Sequence, residues 1–183
     1  MTFYKEVILK NNKKCIIRNA EVVDASQVVD CFLITHEETD FLGFYKDEAS
    51  LTIDKEIEII QSQKEDPKNV FLVAEVDNKI VGTSGVGVVG KHSKTAHRAY
   101  FGISILKDYW GIGIGKELTI ASIEFAKSVG YLQLELDVME NNITALNLYK
   151  KLGFKEYGRN PNGFISRYSG IVPLILMHLE LKD

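Results

Sequence analysis

The chain has 183 residues, enough for one domain and cramped for two. A chain of that length buries about 70% of its unfolded surface, so it needs neither disulfide nor metal to fold. Lys plus Arg number 22 against 25 Asp plus Glu, a formal charge of −3, which argues against a nucleic-acid protein relying on a broad basic surface.

The N-terminal MTFYKEVILKNNKK carries Lys5 and Glu6 and lacks the apolar core of a secretory leader. Lys14 to Asn19 reads as a first strand. Asp24 to Thr35 places Val28, Val29, Phe32 and Leu33 at helical spacing, with Asp24 as N-cap. His36 to Glu48 mixes acids and aromatics without a period, and Leu51 to Gln63 returns to a helical face. Val70–Val76, the turn Asp77-Asn78-Lys79 and Ile80–Val89 form a β-hairpin, and Ala99 to Leu106 is a further strand. Gly115 to Val129 is a long helix closed by Gly130. Leu132 to Val138 alternates strictly, with Gln133, Glu135 and Asp137 on the polar face. Asn142 to Leu152 is a helix stopped by Gly153; Phe154 to Tyr157 and Leu174 to Leu181 are final strands, joined by a polar loop from Gly158 to Gly170. This order is not strict βαβα alternation and predicts an α+β fold with a mixed, largely antiparallel sheet.

Other signals fail on context. Gly85 to Gly90 spells G-x-G-x-x-G but leads into a strand, not the helix that a dinucleotide site needs. Gly115-Lys116 lacks P-loop spacing and has Glu117 where magnesium would need Ser or Thr. The four His lie far apart and suggest no metal site. Cys15 and Cys31 form no CxxC, and Ile171 to Leu181 is too short to span a bilayer. The expectation is a reduced, cytoplasmic protein with no membrane or nucleic-acid partner.

One stretch carries chemistry. Gly111, Gly113 and Gly115 follow a strand and open a helix. Alternating glycines there expose backbone N–H groups at a positive helix end, which suits an anion such as phosphate; a ligand-free tight turn fits the glycines equally well. Downstream come Asn142, Ala145, Leu148, Tyr149, Leu152, Gly153 and Phe154. Together the two segments resemble the GNAT superfamily of N-acetyltransferases, whose glycine turn is Q/R-x-x-G-x-G/A and whose second segment is Asn-x-x-Ala-x-x-Leu-Tyr-x-x-Leu-Gly-Phe. The resemblance is strong over Ile103 to Phe154 and weaker over Val70 to Gly82. Trp110 departs from it, standing near the start of the turn where Gln or Arg is usual.

The resemblance implies one domain over residues 1–183, with a GNAT-like sheet of about six to seven strands and about four helices. It implies acetyl-coenzyme A as co-substrate, with the amides of Gly111, Ile112, Gly113, Ile114, Gly115 and Lys116 around the pyrophosphate. Ile103, Ser104 and Ile105 would splay from their neighbour and pair with the pantetheine arm, the Ile105 amide polarising the thioester carbonyl. Asn142 would contact that arm, cap the next helix, or both. Tyr149 would protonate the departing thiolate. The amine must also lose a proton; Glu135 is the named candidate base, Asp137 shares its face, and in this family the base is sometimes only water.

The resemblance implies an acceptor that is a primary amine of a small molecule or peptide, and places it between His36–Tyr45 and Gly158–Tyr168. Glu37, Glu38 and Asp40 suit a cation, whereas Arg159, Arg167 and Tyr168 suit a carboxylate. Many members of the family form homodimers; the residues fix no oligomeric state. The readings that compete with acetyl transfer are a non-catalytic acyl-coenzyme A sensor and, on Gly85 to Gly90 alone, an oxidoreductase.

Overall fold

A computed structural model describes residues 2–181. Eight strands form one sheet in the order β1-β2-β3-β4-β5-β6-β8-β7. The strands are β1 (Tyr4–Ile8), β2 (Lys14–Asn19), β3 (Val70–Val76), β4 (Lys79–Val88), β5 (Arg98–Ile105), β6 (Gln133–Met139), β7 (Lys155–Ser166) and β8 (Gly170–Glu180). The helices are α1 (Ala25–Glu38), α2 (Ile53–Glu65), α3 (Ile114–Ser128) and α4 (Ile143–Lys151). Every neighbouring pair is antiparallel except β5 and β6. This is the expected α+β architecture with one strand more than the upper expectation. Among the described residues no helix is long and apolar enough to cross a membrane.

The extra strand is β1. Its residues alternate between exposed and half-buried, but the order Tyr-Lys-Glu-Val-Ile has no apolar period, because it is a sheet edge, pairing only with β2 across a turn where Asn12 takes φ 64°. The segment expected as a loop after Tyr157 instead continues β7, pairing with β8 through irregularities at Glu156/Gly158 and Asn160/Phe164. Pro161 sits inside the second irregularity, on the outermost strand, where the lost N–H costs no ladder bond. The β3–β4 turn is as expected: Asp77 and Asn78 both take positive φ, the requirement of a tight hairpin turn. Asp24 precedes α1 but makes no side-chain cap; its carboxylate binds Arg18 at 2.6 and 2.8 Å and the Glu21 amide at 2.8 Å.

The two sheet faces differ. On α3, Ile114, Leu118, Ala121 and Phe125 recur every three to four residues and are all buried. Ser84 of β4 bonds Ser122 of α3 at 3.2 Å, so the even residues of β4 face that helix. Thr83 points to the other face and bonds Ser104 of β5 at 3.1 Å, where α1 and α2 form the cover. Helices α3 and α4 therefore form one layer and α1 and α2 the opposite layer.

Candidate active site

The site begins with a parting of strands. β5 and β6 pair only from Arg98–Gln133 to Tyr100–Glu135. Beyond that β5 stays with β4 as far as Ile105, while β6 stays with β8 as far as Met139. The Leu106 amide donates to Val81 on β4 at 2.9 Å. In a strand, successive residues turn their backbone groups to opposite sides, so those of Ile103 and Ile105 turn toward the parting and those of Ser104 toward β4. The amide and carbonyl of Ile103 and the amide of Ile105 on this free edge can dock an extended amide chain by strand addition.

At the mouth of the parting lies the glycine turn. Gly111 and Gly113 have φ of 77° and 113°, a region that suits glycine, and Gly113 is the N-cap of α3. The amides of Gly111, Ile112, Gly113, Ile114, Gly115 and Lys116 have no hydrogen-bond partner among the described residues. Gly115 packs tightly: a Cβ there would lie 3.3 Å from Ile105 and 3.5 Å from Leu148 side chains, so a larger residue would push α3 from β5 and α4. Orphan amides at a positive helix end fit the pyrophosphate of acetyl-coenzyme A. Lys10 braces the turn, its amide donating to the Ile112 carbonyl at 3.1 Å and its Nζ to that of Gly111 at 3.1 Å.

Trp110 has a definite task here. Its Nε1–H donates to the Ile105 carbonyl at 2.7 Å. That bond occupies the last carbonyl on the free edge and ties the end of β5 to the glycine turn. The Ile105 amide keeps its donor for a ligand.

Tyr149 lies on α4 and is 7% exposed. Its ring stands edge-on to Phe101 at 6.2 Å and tilts against Phe154 at 5.7 Å. Phe101 is the first β5 residue past the last β5–β6 pair, so Tyr149 sits at the root of the parting. Its hydroxyl has no hydrogen-bond partner among the described residues. Burial pushes the phenol well above its ordinary value, with Tyr100 adding to the effect, so it stays protonated at neutral pH. Asn142 caps α4, its Oδ1 accepting from the Ala145 amide at 3.2 Å.

Glu135 and Asp137 share the polar face of β6 but not their surroundings. The Glu135 carboxylate takes a forked pair of bonds from Arg98, one at 2.7 Å to Oε2, and a third from Gln133 at 2.8 Å. The Arg98 bond, with Gln133 assisting, holds its carboxyl below the usual range, which weakens it as a base. Asp137 lies two residues past the last β5–β6 pair, is exposed, and is raised by desolvation, with the Tyr100 hydroxyl opposing and Glu135 assisting. It is the better proton acceptor of the two.

A cavity of about 590 Å³ lies between α1, α2 and the β4–β5 face, reaching Tyr100, Gly102, Ile103 and Ser104; of the two segments expected to hold the acceptor, His36 lines it and no residue of Gly158–Tyr168 does. His36 lines it, stacked on Phe44 at 4.5 Å, its Nδ1 on the Phe32 carbonyl at 2.8 Å and its charged form disfavoured by burial. The charged residues expected to meet the acceptor lie outside the lining of this cavity and are engaged by other groups of the protein. Glu37 pairs with Lys46, and Glu38 accepts from the Lys107 amide. Asp40 binds Tyr45 and Ser166. Arg159 pairs with Glu140; Arg167 pairs with Asp47 and Glu48 and lies 3.9 Å above the Tyr45 ring. Gly85 and Gly87 are interior strand residues of β4 that line the cavity.

Three contributors escaped the sequence reading. Lys10 acts across 101 residues, and Trp110, though only five residues from its partner Ile105, makes an indole-to-carbonyl bond that no motif records. Glu56 looks like any polar residue in an amphipathic helix, yet it is buried in the cavity wall.

Comparison with known proteins supports the same assignment. The model of the acetyltransferase (GNAT) family matches residues 32–154. An N-alpha-acetyltransferase of Sulfurisphaera tokodaii is 31% identical over 157 residues, 80% of this chain and 84% of that protein. Human N-acetyltransferase 8B is 31% identical over 122 residues; that match covers 66% of this chain and 52% of the human protein, about half its length. A GNAT acetyltransferase structure from Streptococcus pneumoniae superposes with TM-score 0.86 at 28% identity, covering 92% of this chain and 99% of that one.

Proposed function

The chain belongs to the acetyltransferase (GNAT) family, and from that premise we propose that it transfers the acetyl group of acetyl-coenzyme A to a primary amine of a small molecule or peptide. One observation carries the proposal: the free edge of β5 at the parting leads to a helix end with six unpartnered amides. Bound acetyl-coenzyme A supplies a thioester whose carbonyl carbon accepts the amine nitrogen as the carbon–sulfur bond breaks. The amides of Gly111 to Lys116 hold the pyrophosphate, and the edge of Ile103, Ser104 and Ile105 aligns the pantetheine arm. The Ile105 amide stabilises negative charge on the carbonyl oxygen. Tyr149, kept as a neutral phenol by burial, gives its proton to the leaving sulfur. Asp137, rather than the Arg98-bound Glu135, takes the amine proton through water. Asn142 acts by fixing the start of α4, which carries Tyr149.

Thiol release from acetyl-coenzyme A, measured against amino acids, polyamines, aminoglycosides and short peptides, tests this reading. Release that depends on an amine is the expected result. The absence of both thiol release and calorimetric binding of acetyl-coenzyme A would overturn it.

A further inference from the structure

The cavity between α1, α2 and the β4–β5 face holds a buried group that the acetyl-transfer steps do not use. Glu56 of α2 is 3% exposed and lines the cavity, and its Oε1 has no hydrogen-bond partner. Gln63, seven residues further along α2, lines the same cavity, and its Oε1 is also buried and unpartnered. Seven residues of helix span about 10 Å. Both oxygens are acceptors. Beside them much of the wall is apolar, from Val28, Phe32, Leu51, Ile59 and Phe71. No Lys or Arg lines the cavity among the described residues. At its far side the cavity reaches Gly102, Ile103 and Ser104, the strand along which the thioester would lie.

An unpartnered buried carboxyl is costly, and the cost vanishes when a cation or donor meets it. Burial raises the Glu56 carboxyl, so its charge is stabilised best by an incoming positive group. A carboxylate-bearing acceptor finds no cation here, and Arg159 and Arg167 are already engaged by Glu140, Asp47 and Glu48. The complement of this wall is a hydrocarbon chain with cationic nitrogens spaced along it. We propose that Glu56 binds a second, cationic nitrogen of the acceptor, and that the acceptor is an aliphatic di- or polyamine, with Gln63 receiving a further N–H of the longer ones. The inference rests on the acetyl-transfer reading and assigns the substrate class of that site.

The test compares 1,4-diaminobutane and spermidine with n-pentylamine, a monoamine of similar length, and with a short peptide bearing a free N-terminus. Steady-state thiol release gives kcat/KM for each, and calorimetry gives the acetyl-coenzyme A affinity. The expected result is a diamine preference over the monoamine of at least about tenfold, the scale of a hydrogen bond to a buried charge. In Glu56→Gln the diamine-to-monoamine ratio falls to near one while the acetyl-coenzyme A Kd is unchanged. Equal use of diamine and monoamine, preference for the peptide, or a Glu56→Gln ratio that stays at the wild-type value overturns the inference. The wild-type ratio decides the matter even if the variant does not fold. Acetyl-coenzyme A that fails to bind the wild-type protein marks failure of the acetyl-transfer reading instead.

Discussion

The Tyr149 ring is buried against Phe101 and Phe154, and its hydroxyl makes no hydrogen bond among the described residues, so packing alone gives the oxygen no task. Tyr149→Phe keeps the ring contacts with Phe101 and Phe154. The expected outcome is a kcat lowered about 100-fold or more with an unchanged acetyl-coenzyme A Kd and no loss of melting temperature. Full turnover in that variant at every pH would remove the acid role. The two acids of β6 separate by a paired experiment. Glu135 has a folded pKa below the ordinary carboxylate value of 4.5, so its ion pair stabilises the fold above that value and is lost as pH falls below it. Glu135→Gln should cost about 1.5–3 kcal/mol at neutral pH and flatten the acid limb of the stability curve. Asp137→Asn should instead lower kcat/KM about tenfold near neutral pH, with recovery as the amine deprotonates unaided at alkaline pH. Acid-limb flattening by Asp137→Asn, with the pH–rate change in Glu135→Gln, would exchange the two roles.

Two elements must meet for the site to exist: the strand end at Ile105 and the helix start at Ile114. The Trp110 indole bond and the absent side chain at Gly115 hold them together. Gly113 is the sensitive position, because φ 113° suits glycine and its unpartnered amide belongs to the turn proposed to hold the pyrophosphate. A Cβ at Gly113 meets nothing within 4 Å, so steric crowding by the protein is not what excludes larger residues. Gly113→Glu adds a left-handed strain of about 1–2 kcal/mol and a negative charge beside the pyrophosphate. Isothermal calorimetry should show acetyl-coenzyme A affinity reduced about 100-fold or more; unchanged affinity would misplace the binding turn.

In the whole molecule, the parting of β5 from β6 leaves β5 without a partner on one side over its last residues, at the centre of the sheet rather than at its edge. Unpaired backbone there is a stability cost that a strand-like ligand removes. Acetyl-coenzyme A at 100 times its Kd should therefore raise unfolding stability by about 2.7 kcal/mol. For a chain of this length that is a melting-temperature rise of about 5–10 °C, readable by differential scanning fluorimetry. Coenzyme A itself should give a shift of similar sign, because the same edge and amides hold it. The absence of any shift with both would mean that the parting is not the cofactor groove.

Much of this was legible in the residues because it depends on local pattern. The period of α3, the Asp77-Asn78 turn, the alternation of β6 and the glycine spacing each report a backbone geometry that neighbouring residues alone impose. The family match over residues 32–154 and the four-helix, mixed-sheet fold follow from those patterns in order. What the sequence could not decide depends on distant neighbours. Strand β1 and the long β7 exist because β2 and β8 offer them edges, not because their own residues alternate. The Glu135 carboxyl differs from that of Asp137 because Arg98, 37 residues away, is paired with it across two strands. Glu56 became visible only when α2 folded over β4 and β5, since burial and a missing partner are properties of the assembled fold, which no local spacing encodes.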